Sequence, residues 1–376
     1  MILAITYSFL QEYWWAIISL LGSLLVFLMF VQGGQSLLYT VGKSDIQRTM
    51  IVNSLGRKWE FTFTTLVTFG GAFFASFPLF YATSFGGAYW MWIAILVSFI
   101  LQAVSYEFRS KPSNFLGKKT YEVFLIINGF LGPILIGTVV GTFFNGTYFI
   151  LNEYNQVGWG TTWRGMEALL NFNNLALGFS VFFLARILAL QYFLNSIDDE
   201  GITKNSKKQL KFNALLFLVF FLYFLVWILI KKGFSYENGT MLISEEKFKY
   251  FNNLIEMPLI FILFIVGVAG VLWGIFLDVY KKHGKGIWYT GIGTVLAVFC
   301  LFIIAGYNNT CFYPSVYDLN SSLNIRNSSS SEFTLKVMSI VSLIIPIVLA
   351  YIWYAWRSIN NKKIDVSEME NSSHKY

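Results

Sequence analysis

The chain has 376 residues, of which 56% are hydrophobic, 19% aromatic and only 12% charged, and its mean hydropathy is +0.59. Soluble globular chains carry about 25% charged residues, so this one lacks the polar surface to coat a water-soluble domain. The net charge of +7 raises nucleic acid as a partner, a reading that the placement of the basic residues removes below.

Nine apolar segments follow one another, at about 14–38, 61–83, 89–106, 121–144, 168–194, 212–230, 257–280, 287–306 and 333–357. Each is long enough to cross a hydrocarbon layer about 30 Å thick. Lipid offers backbone groups no partner, so spans of this length must be helical, and the expected fold is an all-α integral membrane bundle occupying the whole chain as one polytopic domain. The first segment follows Met1-Ile2-Leu3-Ala4 with no basic region before it and no small-residue cleavage site behind it, so a removable signal peptide is not expected.

The connecting segments alternate in charge. Those after spans 1, 3, 5, 7 and 9 hold 19 Lys and Arg, against 6 in the N-terminus and the segments after spans 2, 4, 6 and 8. By the positive-inside rule the N-terminus is expected outside and the C-terminus in the cytoplasm. The basic excess therefore sets topology and does not signal nucleic acid.

The long outer segments, about 145–167 and 307–332, are rich in Asn, Ser, Gly, Tyr and Trp, and are expected to be ordered caps without a core of their own. The run Asn327 to Ser331 stands directly before the last span, where serine can cap a helix. The pairs Gly137/Gly141 and Gly270/Gly274 predict close helix approach. Trp14, Trp15, Trp90, Trp92, Trp159, Trp163, Trp353 and Trp356 lie near span ends and are expected to anchor at the interfaces.

The only histidines, His283 and His374, fall outside every span, so the chain offers no histidine pair to a membrane haem. Cys300 and Cys311 stand eleven apart without a C-x-x-C pattern, so neither a redox pair nor a zinc site is indicated. No phosphate loop and no H-E-x-x-H motif is present. The sequons at Asn145 and Asn238 are short patterns that carry little weight. Ionisable residues at or within spans are Glu60, Glu107, Glu122, Glu167, Arg186, Asp278 and Lys336, and most lie close enough to a span end to be interfacial. Glu60, Glu107 and Asp278 are near the basic side and could pass protons inward. Arg186 lies deeper and requires a carboxylate or carbonyl partner that the sequence does not identify.

An ordered set of motifs resembles subunit II of cytochrome bd quinol oxidase. It comprises Lys43-Ser44-Asp45 through Arg48, Asn53-Ser54, Trp59-Glu60, Gly70 through Ala75, Pro78, Tyr81-Ala82 and Tyr106 through Lys111. Gly132-Pro133, Gly137, Gly141, Ala305-Gly306-Tyr307, Pro314-Ser315, Ser321 to Leu323, Ser330 to Met338 and Pro346 continue it. The resemblance covers about residues 13–358 and is weak from span 5 to span 7.

It implies a nine-helix subunit of a bacterial cytoplasmic (inner) membrane oxidase. A partner subunit I would carry haem b and haem d and the quinol-oxidising loop, while the complex reduces dioxygen to water and contributes to proton motive force. A bound structural quinone and small single-span subunits would be compatible with it. The family's paired carboxylates at the end of the first helix become Gln32-Gly33-Gly34-Gln35, its W-D-G becomes Trp59-Glu60-Phe61, and a basic residue of the third helix becomes Gln102. Amides cannot release protons, so the proton-pathway candidates are Glu60 and Glu107, with Arg109 expected to tune or pair with Glu107, and Gln32 and Gln35 left to orient water. The alternatives are a secondary transporter, which lacks the expected repeated halves with polar broken helices, and a purely structural assembly subunit.

Overall fold

The computed structural model describes residues 6–237, 242–281, 284–360 and 362–365. Both histidines, the sequon at Asn238 and the tail beyond Asp365 lie outside them. Among the described residues the long helices are α1 (Tyr7–Gln35), α2 (Asp45–Gly56), α3 (Trp59–Ser76), α4 (Tyr89–Phe108), α5 (Lys118–Asn145), α6 (Phe172–Ser196), α7 (Glu200–Ile230), α8 (Lys249–Glu256), α9 (Pro258–Lys281), α10 (Gly286–Gly306) and α11 (Glu332–Ile359).

Eight of these are long and apolar enough to cross a membrane. The segment expected at 61–83 is the 18-residue α3, followed by a turn at Pro78–Tyr81 and a π-helical stretch at Ala82–Gly87. Its apolar run is diluted by Thr62, Thr64, Thr65, Thr68, Gly70 and Gly71. Tyr7 bonds to Ser329 and Ser330, whereas Ile364 bridges to Ile197 at the other end of α6, so the two ends of the described chain lie at opposite ends of the bundle.

Polar caps fix the helix starts. Ser44 and Gln47 form a reciprocal capping box on α2, Asn171 and Asp199 cap α6 and α7, and Ser331 accepts from the Thr334 amide, as the serine run before the last span predicts. The basic stretch Lys204 to Lys211, expected as a loop, instead forms the first turns of α7. Once Asp199 caps the helix, nothing in that lysine-rich sequence stops it.

The glycine pairs act as predicted. A Cβ on Gly137 would stand 2.8 Å from the Gly178 Cα, and one on Gly274 would stand 2.3 Å from the Thr290 hydroxyl, so α5 lies directly on α6 and α9 on α10. The outer segments contain two hairpins, β1 (Phe149–Leu151) with β2 (Val157–Trp159) and β3 (Lys232–Tyr236) with β4 (Ile243–Lys247). Bridges from Thr147 to Ser315 and from Ser235 to Thr310 tie them to the segment before α11.

Trp14 and Trp15 are not interfacial anchors. They are 6% and 0% exposed, and their indoles donate to the carbonyls of Leu335 and Phe302. Helix α1 begins at Tyr7, about two turns earlier than expected, which carries both rings inward. Trp90, Trp163 and Trp353 do stand exposed.

Candidate functional site

Helix α1 loosens at Met29, where a single turn residue separates Tyr7–Leu28 from Phe30–Gln35. The Thr62 hydroxyl donates to the Leu28 carbonyl at 2.9 Å, so the break is satisfied from α3. Beyond it Gln32 and Gln35 turn into the bundle, 0% and 1% exposed. Gly129 allows this approach, because a Cβ there would stand 2.5 Å from the Ser36 amide nitrogen.

Helix α4 presents Ser98, Gln102, Ser105 and Tyr106 on one buried face, continued by Arg109 at its end. These residues meet α1 and α5. The Gln32 amide donates to Gln102 Oε1 at 2.7 Å, the Gln35 amide to the Tyr106 hydroxyl at 3.0 Å, and Asn128 to Ser98 Oγ at 3.3 Å. From Ser98 to Arg109 the seam rises about 16 Å, half the thickness of the hydrocarbon. Gln32 Oε1, Gln35 Oε1, Gln102 Nε2 and Asn128 Oδ1 are enclosed without a partner among the described residues, so the seam has hydrogen-bonding capacity that water can use.

The basic end of the seam closes on a carboxylate. Glu122 and Arg109 are 2% and 1% exposed, and Arg109 donates through Nη2 at 2.7 Å and Nε at 3.2 Å to Glu122 Oε1. The Tyr39 hydroxyl donates to Glu122 Oε2 at 2.6 Å, and Arg48 Nε stands 3.7 Å from the same oxygen. Lys118 and Arg109 both reach the Thr49 hydroxyl. Burial, and then the hydrogen bond to Glu122, raise the Tyr39 pKa above the ordinary phenol value. Burial pulls Arg109 down, while Glu122 works against that shift. The result is a fixed carboxylate whose charge is matched by guanidinium groups, with a phenol proton held against it.

The sequence-predicted residues thus divide. Gln32, Gln35 and Arg109 come together inside the bundle. Glu60 and Glu107 do not join them: both are exposed, and Glu107 pairs with Lys111 at 3.1 Å. The carboxylate paired with Arg109 is Glu122 and not Glu107, because Arg109 caps α4 on the face turned toward α5. The preceding residues, Trp59 and Tyr106, stack with centroids 5.7 Å apart. Asp278 does not join Gln32, Gln35 and Arg109 either: it is buried in the last turn of α9 and accepts from the amides of Gly284 and Gly286.

Tyr39, Tyr106, Ser98 and Asn128 escaped the sequence analysis, and Glu122 was read there as interfacial. The signal that points to Ser98 and Tyr106 is the three- and four-residue spacing of polar side chains along an otherwise apolar α4. Among the described residues no group of three or more His, Cys, Asp and Glu could hold a metal ion.

A second internal feature is chemically opposite. An apolar cavity of about 90 Å³ lies between α1, α6, α7, α9 and α10, walled by Leu177, Leu184, Phe217, Phe221, Val271 and Val298 among others, with Ser180 and Thr294 as its only hydroxyl-bearing residues.

Comparison with known proteins finds similar chains. A family model described as cytochrome bd terminal oxidase subunit II matches residues 10–359. The chain is similar to cytochrome bd-I ubiquinol oxidase subunit 2 of Escherichia coli (strain K12), with 26% identity over 98% of this chain and 99% of the relative. It is also similar to cytochrome bd ubiquinol oxidase subunit 2 of Bacillus subtilis (strain 168), with 25% identity over 83% of this chain and 85% of the relative. Its fold resembles a chain in the structure of bd oxidase from Geobacillus thermodenitrificans, with a TM-score of 0.62 and 10% identity over 95% of this chain and 100% of that one.

Proposed function

The chain belongs to the cytochrome bd terminal oxidase subunit II family, and from that premise we propose that it brings protons from the cytoplasmic side toward the haem-bearing partner through the inner ends of α3 and α4 and the seam beside them. The enzyme is a quinol oxidase complex of the inner membrane, and the family implies that the haems reside on subunit I. This chain's part is to support that subunit and to handle protons.

The observation that carries the reading is the buried seam itself. A bundle this apolar excludes polar side chains unless they are used or fully satisfied, yet α1, α4 and α5 enclose six hydrogen-bonded amide or hydroxyl-bearing side chains ending at the Glu122–Arg109 pair. The amides of Gln32, Gln35, Gln102 and Asn128 cannot release protons, and their role is to order water. Glu60 and Glu107 take up and pass protons at the inner surface, where both are open to a partner subunit. Tyr106 connects the two groups, since its ring stacks on Trp59 and its hydroxyl accepts from Gln35.

With the N-terminus outside, as the positive-inside rule reads it, Glu122, Arg48 of α2 and the α7 lysines face the cytoplasm. The apolar cavity is assigned to the isoprenoid portion of a bound quinone, because its walls offer dispersion contacts and almost no polar partner. Small single-span subunits would pack on the exposed flanks of α7, α9 and α11.

Replacing Glu60 by Gln in the intact complex tests the proton role. Oxygen consumption should slow while the reduced-minus-oxidised haem spectrum keeps its amplitude. An unchanged rate at full haem content removes Glu60 from the route.

A further inference from the structure

Arg186 lies in the middle of α6, and its guanidinium has no hydrogen-bond or ion-pair partner among the described residues. The residue is 9% exposed, and its Nε is fully enclosed and unbonded. Helical side chains lean toward the helix N-terminus. The guanidinium accordingly sits over the ring of Phe182, one turn back, with Cζ 5.2 Å from the centroid. At that level it is about 15 Å from the Phe172 end of α6 and about 21 Å from the Ser196 end. Lipid phosphates lie near those ends, beyond the reach of one side chain.

A guanidinium at this depth is costly, and more so when no acceptor meets it. The aromatic face of Phe182 offsets part of that cost. Every other buried cation considered above has an acceptor or carboxylate in reach, or lies at a helix end.

The surroundings indicate the side from which an acceptor can come. Phe182 packs on Phe130 of α5 with centroids 5.0 Å apart, while Phe179 and Phe183 pack on Phe220 of α7 at 5.1 and 5.8 Å. At about 100° per residue, Arg186 points between Phe182 and Phe179, into the groove that separates α5 from α7. Phe130 is 39% exposed, so the groove opens on the flank of the bundle.

We propose that this groove receives a membrane helix of another chain that bears an aspartate or glutamate at mid-bilayer depth, and that this carboxylate pairs with Arg186. The inference rests on the reading of the chain as one subunit of a larger membrane complex. Charge complementarity selects the occupant: hydrocarbon cannot satisfy a guanidinium, and a carboxylate on a neighbouring helix forms the paired, hydrogen-bonded arrangement that burial of both charges requires.

The test uses the full chain in its native membrane with the photoreactive residue p-benzoylphenylalanine at Phe130. After irradiation the complex is purified and the adduct mapped by mass spectrometry. The expected adduct is on a membrane segment of another chain, within about two turns of an Asp or Glu. Neutralising that acid to its amide should lower co-purification of the two chains severalfold when Arg186 or Arg186→Lys is present, and have no further effect in Arg186→Met. Adducts confined to lipid or to this chain, or an acid whose removal acts equally in all three backgrounds, overturn the proposal. The haem bands of the purified complex report separately on the oxidase reading: full bands with a lipid-only adduct reject the groove assignment and leave that reading standing.

Discussion

The seam between α1, α4 and α5 and the cavity between α6, α7, α9 and α10 are both interior spaces of one apolar bundle, yet they are built from opposite materials. The seam is narrow, closely packed and lined by amides, hydroxyls and one guanidinium–carboxylate pair. The cavity is open, and nearly all its lining residues are aliphatic or aromatic. Polar side chains are costly in lipid, so their concentration between three helices is what the proposed handling of water and protons requires. An apolar void carries no such requirement and suits a lipid-like guest.

The difference predicts unequal responses to similar changes. The largest concerns the end of the seam. Arg109→Leu leaves Glu122 buried with only part of its compensation, and should destabilise the purified complex by about 3–5 kcal/mol. Arg109→Leu combined with Glu122→Leu should recover most of that loss, as read by thermal unfolding and haem yield. A single variant as stable as the parent would remove the pair from the account.

Gln102→Leu comes next. It strands the Gln32 amide and should cost about 1–3 kcal/mol, with slower oxygen consumption. A change of similar chemical size in the cavity, Leu184→Met, should cost less than about 1.5 kcal/mol and leave turnover unchanged. Equal effects of these two substitutions would erase the distinction between the regions.

A pH-dependent effect lies at the margin of both. Lys58 is fully buried against the ring of Trp356, 4.3 Å from its centroid, and its amine has no hydrogen-bond partner among the described residues. Burial, and secondarily Arg57, push its pKa down to about 7 from 10.5. Between those values the unfolded chain binds the proton more tightly than the folded one, so the burden is full below pH 7 and fades as pH rises toward 10.5. Lys58→Met should therefore stabilise the protein at pH 6 and by much less at pH 10.5. A gain that does not change with pH would contradict the buried-amine description.

The sequence made the bundle legible because hydropathy and charge alternation act at the scale of whole spans. It also exposed the glycine contacts and the Ser331 cap, where one residue type has one dominant use. Trp14 and Trp15 were misplaced because a tryptophan near a span end and one in the core look alike until the helix start is known. Glu122 was hidden for a similar reason: depth along a helix can be counted, but the face turned toward Arg109 and Tyr39 depends on how α4 and α5 pack. Gln32, Gln35 and Arg109 were found through resemblance, and their contacts through the fold.

The most direct test is the double variant Gln32→Leu/Gln102→Leu in the intact complex, compared with Leu184→Met. Removing both hydrogen-bond partners together should be nearly neutral for stability, so turnover reports on the seam itself. The account predicts severalfold slower oxygen consumption for the double variant, with haem amplitude and thermal midpoint preserved, and parental turnover for the cavity variant. Full turnover in the double variant would show that the seam carries no protons.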